Sequence, residues 1–131
     1  MDIEFIKELP TTTNIPKYSI IVDALFGFGY KPPCRSQFIP ILQMMAQRDE
    51  RQCKLVSIDI PSGWNVETGP IPETPSINPD CLISLTAPKL CAKYFSGEHW
   101  IGGRFVPESL NKKYSLNISK YIGEDQCFKV K

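Results

Sequence analysis

The chain has 131 residues, with 15 lysines and arginines against 14 aspartates and glutamates, a formal net charge of +1. That balance argues against an electrostatic nucleic-acid binder and against long-range steering of acidic partners. With 42% hydrophobic and 22% charged residues the composition is that of one ordinary globular domain, and no run approaches the roughly 18 apolar residues of a membrane helix.

Residues 1–17 are turn-rich, with Pro10, Pro16 and the Thr11–Thr13 run, and read as a connector. Tyr18–Ala24 is a short apolar run with β-branched residues, the pattern of a strand buried on both faces. Phe38, Ile41, Leu42 and Met45 then fall on one face of a helix, with Ser36 as N-cap and Pro40 in the permissive first turn. Lys54–Ile60 is a second strand, completing a βαβ unit with parallel strands. Five prolines between Pro61 and Pro79 exclude a helix and predict a long loop, which in a compact domain is more often functional or disordered than neutral.

Cys81–Ala87 is the third strand. Pro88–Phe95 reads as a short helix opened by its proline, and Trp100–Val106 as a short strand with a turn or bulge at Gly102-Gly103. Glu108–Tyr114 is a short charged helix or turn, and Gln126–Val130 gives a weak strand signal. Five cysteines at irregular spacing, no CxxC and the single His99 argue against a zinc cluster. The thiols read as buried or half-buried and free, in a reducing compartment, and His99 as a satisfied histidine.

Each of the three apolar runs carries a polar residue at or near its C-terminal end: Asp23, Asp59 and Thr86. In open parallel sheets ligands bind beyond that edge, so these groups should converge there. The first loop, Phe26-Gly27-Phe28-Gly29-Tyr30-Lys31, permits close backbone approach to a ligand, but it is neither a Rossmann fingerprint nor a P-loop. In the second loop, Asp59-Ile60-Pro61-Ser62-Gly63-Trp64, a carboxylate and a hydroxyl suit a hard cation, or the carboxylate suits proton transfer. Lys89 could meet a phosphate as a point charge, and Arg104 is open to the same reading. No nucleophile triad is visible.

Four blocks, VDALFGFGYK (Val22–Lys31), SIDIPSGWNVETG (Ser57–Gly69), LISLTAPK (Leu82–Lys89) and GGRFVP (Gly102–Pro107), resemble the NAD(P)H-hydrate epimerase family in order and spacing. This is the YjeF N-terminal domain family, whose animal members are also called apolipoprotein A-I-binding protein. The resemblance implies a Rossmann-like three-layer α/β/α fold with a parallel sheet. Because the family domain is longer, only its C-terminal part is expected here. The sheet would be truncated on its N-terminal side, without the Gly/Asn-rich phosphate loop, and Met1 would be an internal methionine or the start of a truncated product.

The implied activity is interconversion of the R and S epimers of hydrated NADH and NADPH. By the same resemblance Asp23 and Ser62 would ligate potassium, and Gly27, Phe28, Gly29, Tyr30, Lys31, Pro32 and Pro33 would line the nucleotide site. Asp59 would contact the hydrated nicotinamide and is the candidate acid/base, with no histidine at hand. Lys31-Pro32-Pro33-Cys34 departs from the Lys-Gly-Asp frequent in the family, removing a backbone N–H and a carboxylate. Apolipoprotein A-I as a partner, a homodimer, and a mitochondrial, cytoplasmic or secreted location come from the family alone. Two other readings stay open beside the enzyme: a non-catalytic isoform or interaction module, and an α/β remnant that does not fold stably.

Overall fold

The computed structural model describes residues 3–8, 18–116, 118 and 121–130. Most of the expected N-terminal connector lies outside the described residues, and residues 3–8 carry no regular element. One five-stranded sheet organises the chain: β1 (Ile20–Asp23), β2 (Lys54–Ile58), β3 (Cys81–Leu85), β4 (Glu98–Gly102) and β5 (Cys127–Lys129), in that spatial order. The first four strands are parallel and β5 closes antiparallel on β4. The α/β class and the Rossmann-like parallel sheet follow from the βαβ pattern, with α1 (Ile39–Ala46) between β1 and β2.

Only one face of the sheet carries the buried core, which corrects the expectation of strands covered on both sides. Ile21, Leu55, Leu82 and Ile101 share that face through the strand register. The other face carries Ile20 and Val22, each 59% exposed. Leu42 and Met45 of α1 pack with Leu55 and Ile77, and Ile60, Trp64, Leu82, Cys91, Ala92 and Phe95 form a second cluster. Ser36 caps nothing: Ser36–Phe38 is a 3-10 turn leading into α1, and Pro40 sits in the first turn of the helix.

The proline-rich loop is ordered by specific anchors. Trp64 is buried and its indole N–H donates to the Ile77 carbonyl at 3.1 Å. The Asn65 side chain accepts from the Glu67 and Thr68 amides, and Val66 accepts from the Cys91 amide at 3.0 Å. A 3-10 turn at Leu90–Tyr94 replaces the expected helix from Pro88, and its Tyr94 ring fills the space a side chain at Gly69 would need. The fourth strand begins at Glu98 and ends at Gly102, because the glycine pair terminates it and Gly103 turns away at φ +84. The charged segment Glu108–Tyr114 is helix α2.

Arg48, past the end of α1, ties that end to the sheet. Its guanidinium donates to the carbonyls of Met45, Cys53 and Asn78 and pairs with Asp80 at 2.9 Å. Asp80 also receives Lys54 Nζ and the Leu55 amide, each at 2.9 Å. His99 is buried with its Nε2 2.9 Å from Ser84 Oγ and its ring edge-on to Phe95, a core histidine. All five cysteines are free, and Cys127 is exposed. Burial pushes the Cys81 and Cys91 thiols up. No helix among the described residues is long and apolar enough to cross a membrane.

Candidate functional site

The carboxyl edge of the sheet holds the groups the sequence placed there. At the end of β1, Asp23 is 2% exposed. Its Oδ2 accepts from Ser57 Oγ at 2.8 Å and from the Ser62 amide at 2.9 Å, while the Leu25 amide reaches Oδ1 at 3.4 Å. Ser62 Oγ accepts from the Phe26 amide at 2.9 Å, so Asp23 and Ser62 join the first loop to the second. Among the described ion pairs none involves Asp23. A carboxylate removed from water without a charged partner is costly, and a cation would relieve that cost. The donor set around it, carboxylate and hydroxyl oxygen, is that of a hard cation. Among the described residues no three His, Cys, Asp or Glu side chains come together to hold a metal ion.

Asp59 follows β2 in a left-handed conformation, φ +74, and Thr86 follows β3 at φ +68. Such conformations cost a non-glycine residue on the order of 1–3 kcal/mol and recur at functional sites. Each of the two residues follows directly on the last residue of its strand, Ile58 and Leu85. Asp59 Oδ2 accepts from the Phe28 amide at 2.8 Å, and Oδ1 pairs with Lys89 Nζ. Lys89 Nζ also donates to the Leu85 carbonyl at 2.7 Å. Gly27 makes this approach possible, since a Cβ there would stand 2.9 Å from Asp59 Oδ2.

Asp59, Lys89, Phe28, Thr86, Pro88 and Phe105 line a cavity of about 560 Å³. A second hollow of about 410 Å³ is lined by Gly27, Gly29, Tyr30, Lys31 and Pro33 among others. Pro32 faces a third, of about 380 Å³, with Cys34 and Thr74. The Pro32-Pro33 bond is cis. The first loop is stiffened by Phe26, which stacks on Tyr30 at 4.7 Å and meets Phe38 edge-on at 5.1 Å. Burial pushes the Tyr30 phenol up.

The structure thus brings Asp23 and Ser62 together, joins Asp59 to Phe28, and places the rest of the first loop around a neighbouring hollow. Lys89, which on sequence could be either a solvated lysine or a point charge for a phosphate, is instead committed to Asp59. Arg104 is likewise committed: it donates to the carbonyls of Gly123 and Asp125 and lies over the Tyr121 ring at 5.1 Å. Phe105 escaped sequence reasoning. Its signal was the glycine pair before it, because its ring folds over Gly103 where no Cβ fits.

A parallel sheet with loops from successive strand ends converging on a cavity lined by Asp59 is the architecture of an α/β protein of Rossmann-like type, a class in which ligands bind beyond that edge. The model of the family described as YjeF-related protein N-terminus matches residues 2–91, and the chain belongs to that family. It is 50% identical over 130 residues to an NAD(P)H-hydrate epimerase of Anopheles darlingi, an alignment covering 93% of this chain and 55% of that protein. The crystal structure of the yeast protein ynu0 superposes with a TM-score of 0.76 at 40% identity, covering 86% of this chain and 46% of the yeast chain. The chain therefore spans about half the length of the relatives it matches.

These matches correct the expectation of a C-terminal part with a sheet truncated on its N-terminal side. The family's N-terminal model takes hold at residue 2, and the likeness runs through nearly the whole chain rather than a terminal piece of it. The motif blocks that carried the expectation sit at the carboxyl ends of β1, β2, β3 and β4, four consecutive parallel strands, so the resemblance follows the sheet from its first strand to its fourth.

Proposed function

We propose that the chain acts as an NAD(P)H-hydrate epimerase, an isomerase that interconverts the R and S epimers of hydrated NADH and NADPH. The observation that carries the reading is Asp59, a carboxylate held on both oxygens at the floor of a cavity of about 560 Å³ at the carboxyl edge of the sheet. A hydrated dihydronicotinamide bears a hydroxyl on a ring carbon, and its epimers differ there. Exchanging them requires a bond to that carbon to break and reform while one proton leaves and returns. Asp59 would take and return that proton. Gly27, Gly29, Tyr30, Lys31 and Pro33 would line the nucleotide beside it, with Phe28 and Pro32 at its margins.

Supplying the pure R epimer of hydrated NADH and resolving both epimers by chromatography tests this. Appearance of the S epimer well above the uncatalysed rate is the expected result. An unchanged R:S course overturns the reading in favour of a non-catalytic role.

Asp23 and Ser62 would hold a potassium ion. Its charge would neutralise the buried carboxylate and fix the ends of the first two loops. A ligand that binds only the folded state stabilises it by mass action, about 2.7 kcal/mol at a hundredfold excess over its dissociation constant. Melting in potassium chloride is therefore expected several degrees above melting in choline chloride of equal ionic strength, about 4 °C per kcal/mol for a chain of 131 residues. Asp23→Asn should remove the difference. Identical melting of the wild-type protein in both salts would exclude the cation.

A further inference from the structure

The remaining unassigned charge at the cavity is Lys89. It stands beyond the end of β3, and its side chain folds back so that Nζ meets the Leu85 carbonyl and Asp59 Oδ1. The two side chains are only 18% and 9% exposed, too enclosed to be a casual surface pair. The Phe28 amide holds the other carboxylate oxygen. Asp59 is therefore fixed between a backbone donor from the loop after β1 and an ammonium from the loop after β3. Beyond the Phe28 amide and Lys89, no hydrogen bond or ion pair to the Asp59 side chain is among the described contacts.

We propose that Lys89 is a positioning residue of this site: it acts through Asp59, setting the orientation of the carboxylate toward substrate. The inference rests on the epimerase reading. An anion-binding role does not fit the same geometry, because the lysine charge already faces a carboxylate and its Nζ already caps a strand-end carbonyl. One of the ammonium's three donors goes to the Leu85 carbonyl, the contact with Asp59 Oδ1 is an ion pair, and Lys89 lines the cavity. With the partner removed, Asp59 keeps only the Phe28 amide and can rotate about its side-chain torsions. Misplacing a reacting group by about 1 Å costs on the order of 100-fold in rate.

The test is steady-state epimerisation of hydrated NADH by the wild-type protein, Lys89→Met and Lys89→Arg, with thermal melts of each. Lys89→Met is expected to lower kcat about 100-fold while KM stays within about threefold, with a cooperative melt retained. Lys89→Arg, which keeps the charge, is expected to regain at least about tenfold of that loss. Full kcat in Lys89→Met overturns the proposal and leaves the epimerase reading standing. A loss shared equally by Met and Arg variants, or carried by KM, also overturns it. If Lys89→Met does not melt cooperatively, Lys89→Gln takes its place, and failure of both makes the residue structural and the proposal wrong. An inactive wild-type protein brings down the epimerase reading and this inference together.

Discussion

Asp59→Asn is expected to lower the epimerisation rate about 1,000-fold, the middle of the range for loss of a positioned acid or base. Asparagine is the informative replacement for two reasons. It keeps an oxygen that can accept from the Phe28 amide, and it tolerates the left-handed backbone that Asp59 adopts at φ +74. Alanine would add backbone strain to the chemical loss. A melt within a few degrees of wild type together with the rate loss would separate catalysis from folding. An Asn variant retaining more than about a tenth of the wild-type rate would show that the carboxylate moves no proton.

Asp80→Ala carries the largest expected stability change. Arg48 is almost wholly buried, its side chain 1% exposed, and Asp80 is its anionic partner. Removing one member of a buried pair costs about 3–5 kcal/mol, chiefly because the other charge stays behind. Asp80 is 29% exposed and Arg48 keeps three carbonyl acceptors, so the low end, about 3 kcal/mol, is expected. Urea titration at neutral pH measures it, and a change below about 1 kcal/mol would mean that water reaches the guanidinium.

The same carboxylate ties stability to acid. Burial alone would push the Asp80 carboxyl up. The Leu55 amide and the Lys54 and Arg48 side chains outweigh burial and hold it at about 2, against an ordinary 3.8. The unfolded chain therefore binds the proton more readily, and stability rises with pH across this window. The contribution, roughly 2 kcal/mol, is complete above the unfolded value and disappears as pH falls through the folded one. Asp80→Ala should flatten that limb of the stability curve between about pH 4 and pH 2.

Much of this site was legible because its residues follow short apolar runs. Asp23, Asp59 and Thr86 were placed at one edge by strand pattern alone, and the sheet puts all three there. What pairs across the edge was not legible. Lys89 and Asp59 are distant in sequence, and nothing local marks a lysine that folds back onto its own strand end. Strand limits shifted for a related reason. Asp59 and Thr86 were read as strand residues because their neighbours are apolar, yet each has left the strand in a left-handed turn. The proline content correctly excluded a helix from 61–79, but the Trp64 anchor on Ile77 depends on the folded core. Burial of strands on both faces was inferred from β-branched composition, whereas the observed alternation leaves Ile20 and Val22 open.

The order of strands along the sheet also sets a schedule. Every parallel pairing must close a loop before it gains any contact, and closure entropy grows with the length closed. Leu82 reaches His99 across the shortest such stretch, whereas Ile20 must span α1 and its flanking turns to find Lys54. The β3–β4 pair is therefore the seam around which refolding should start, and β1 the strand that arrives last. A topology dominated by such distant pairings places this small domain among the slower folders of its size.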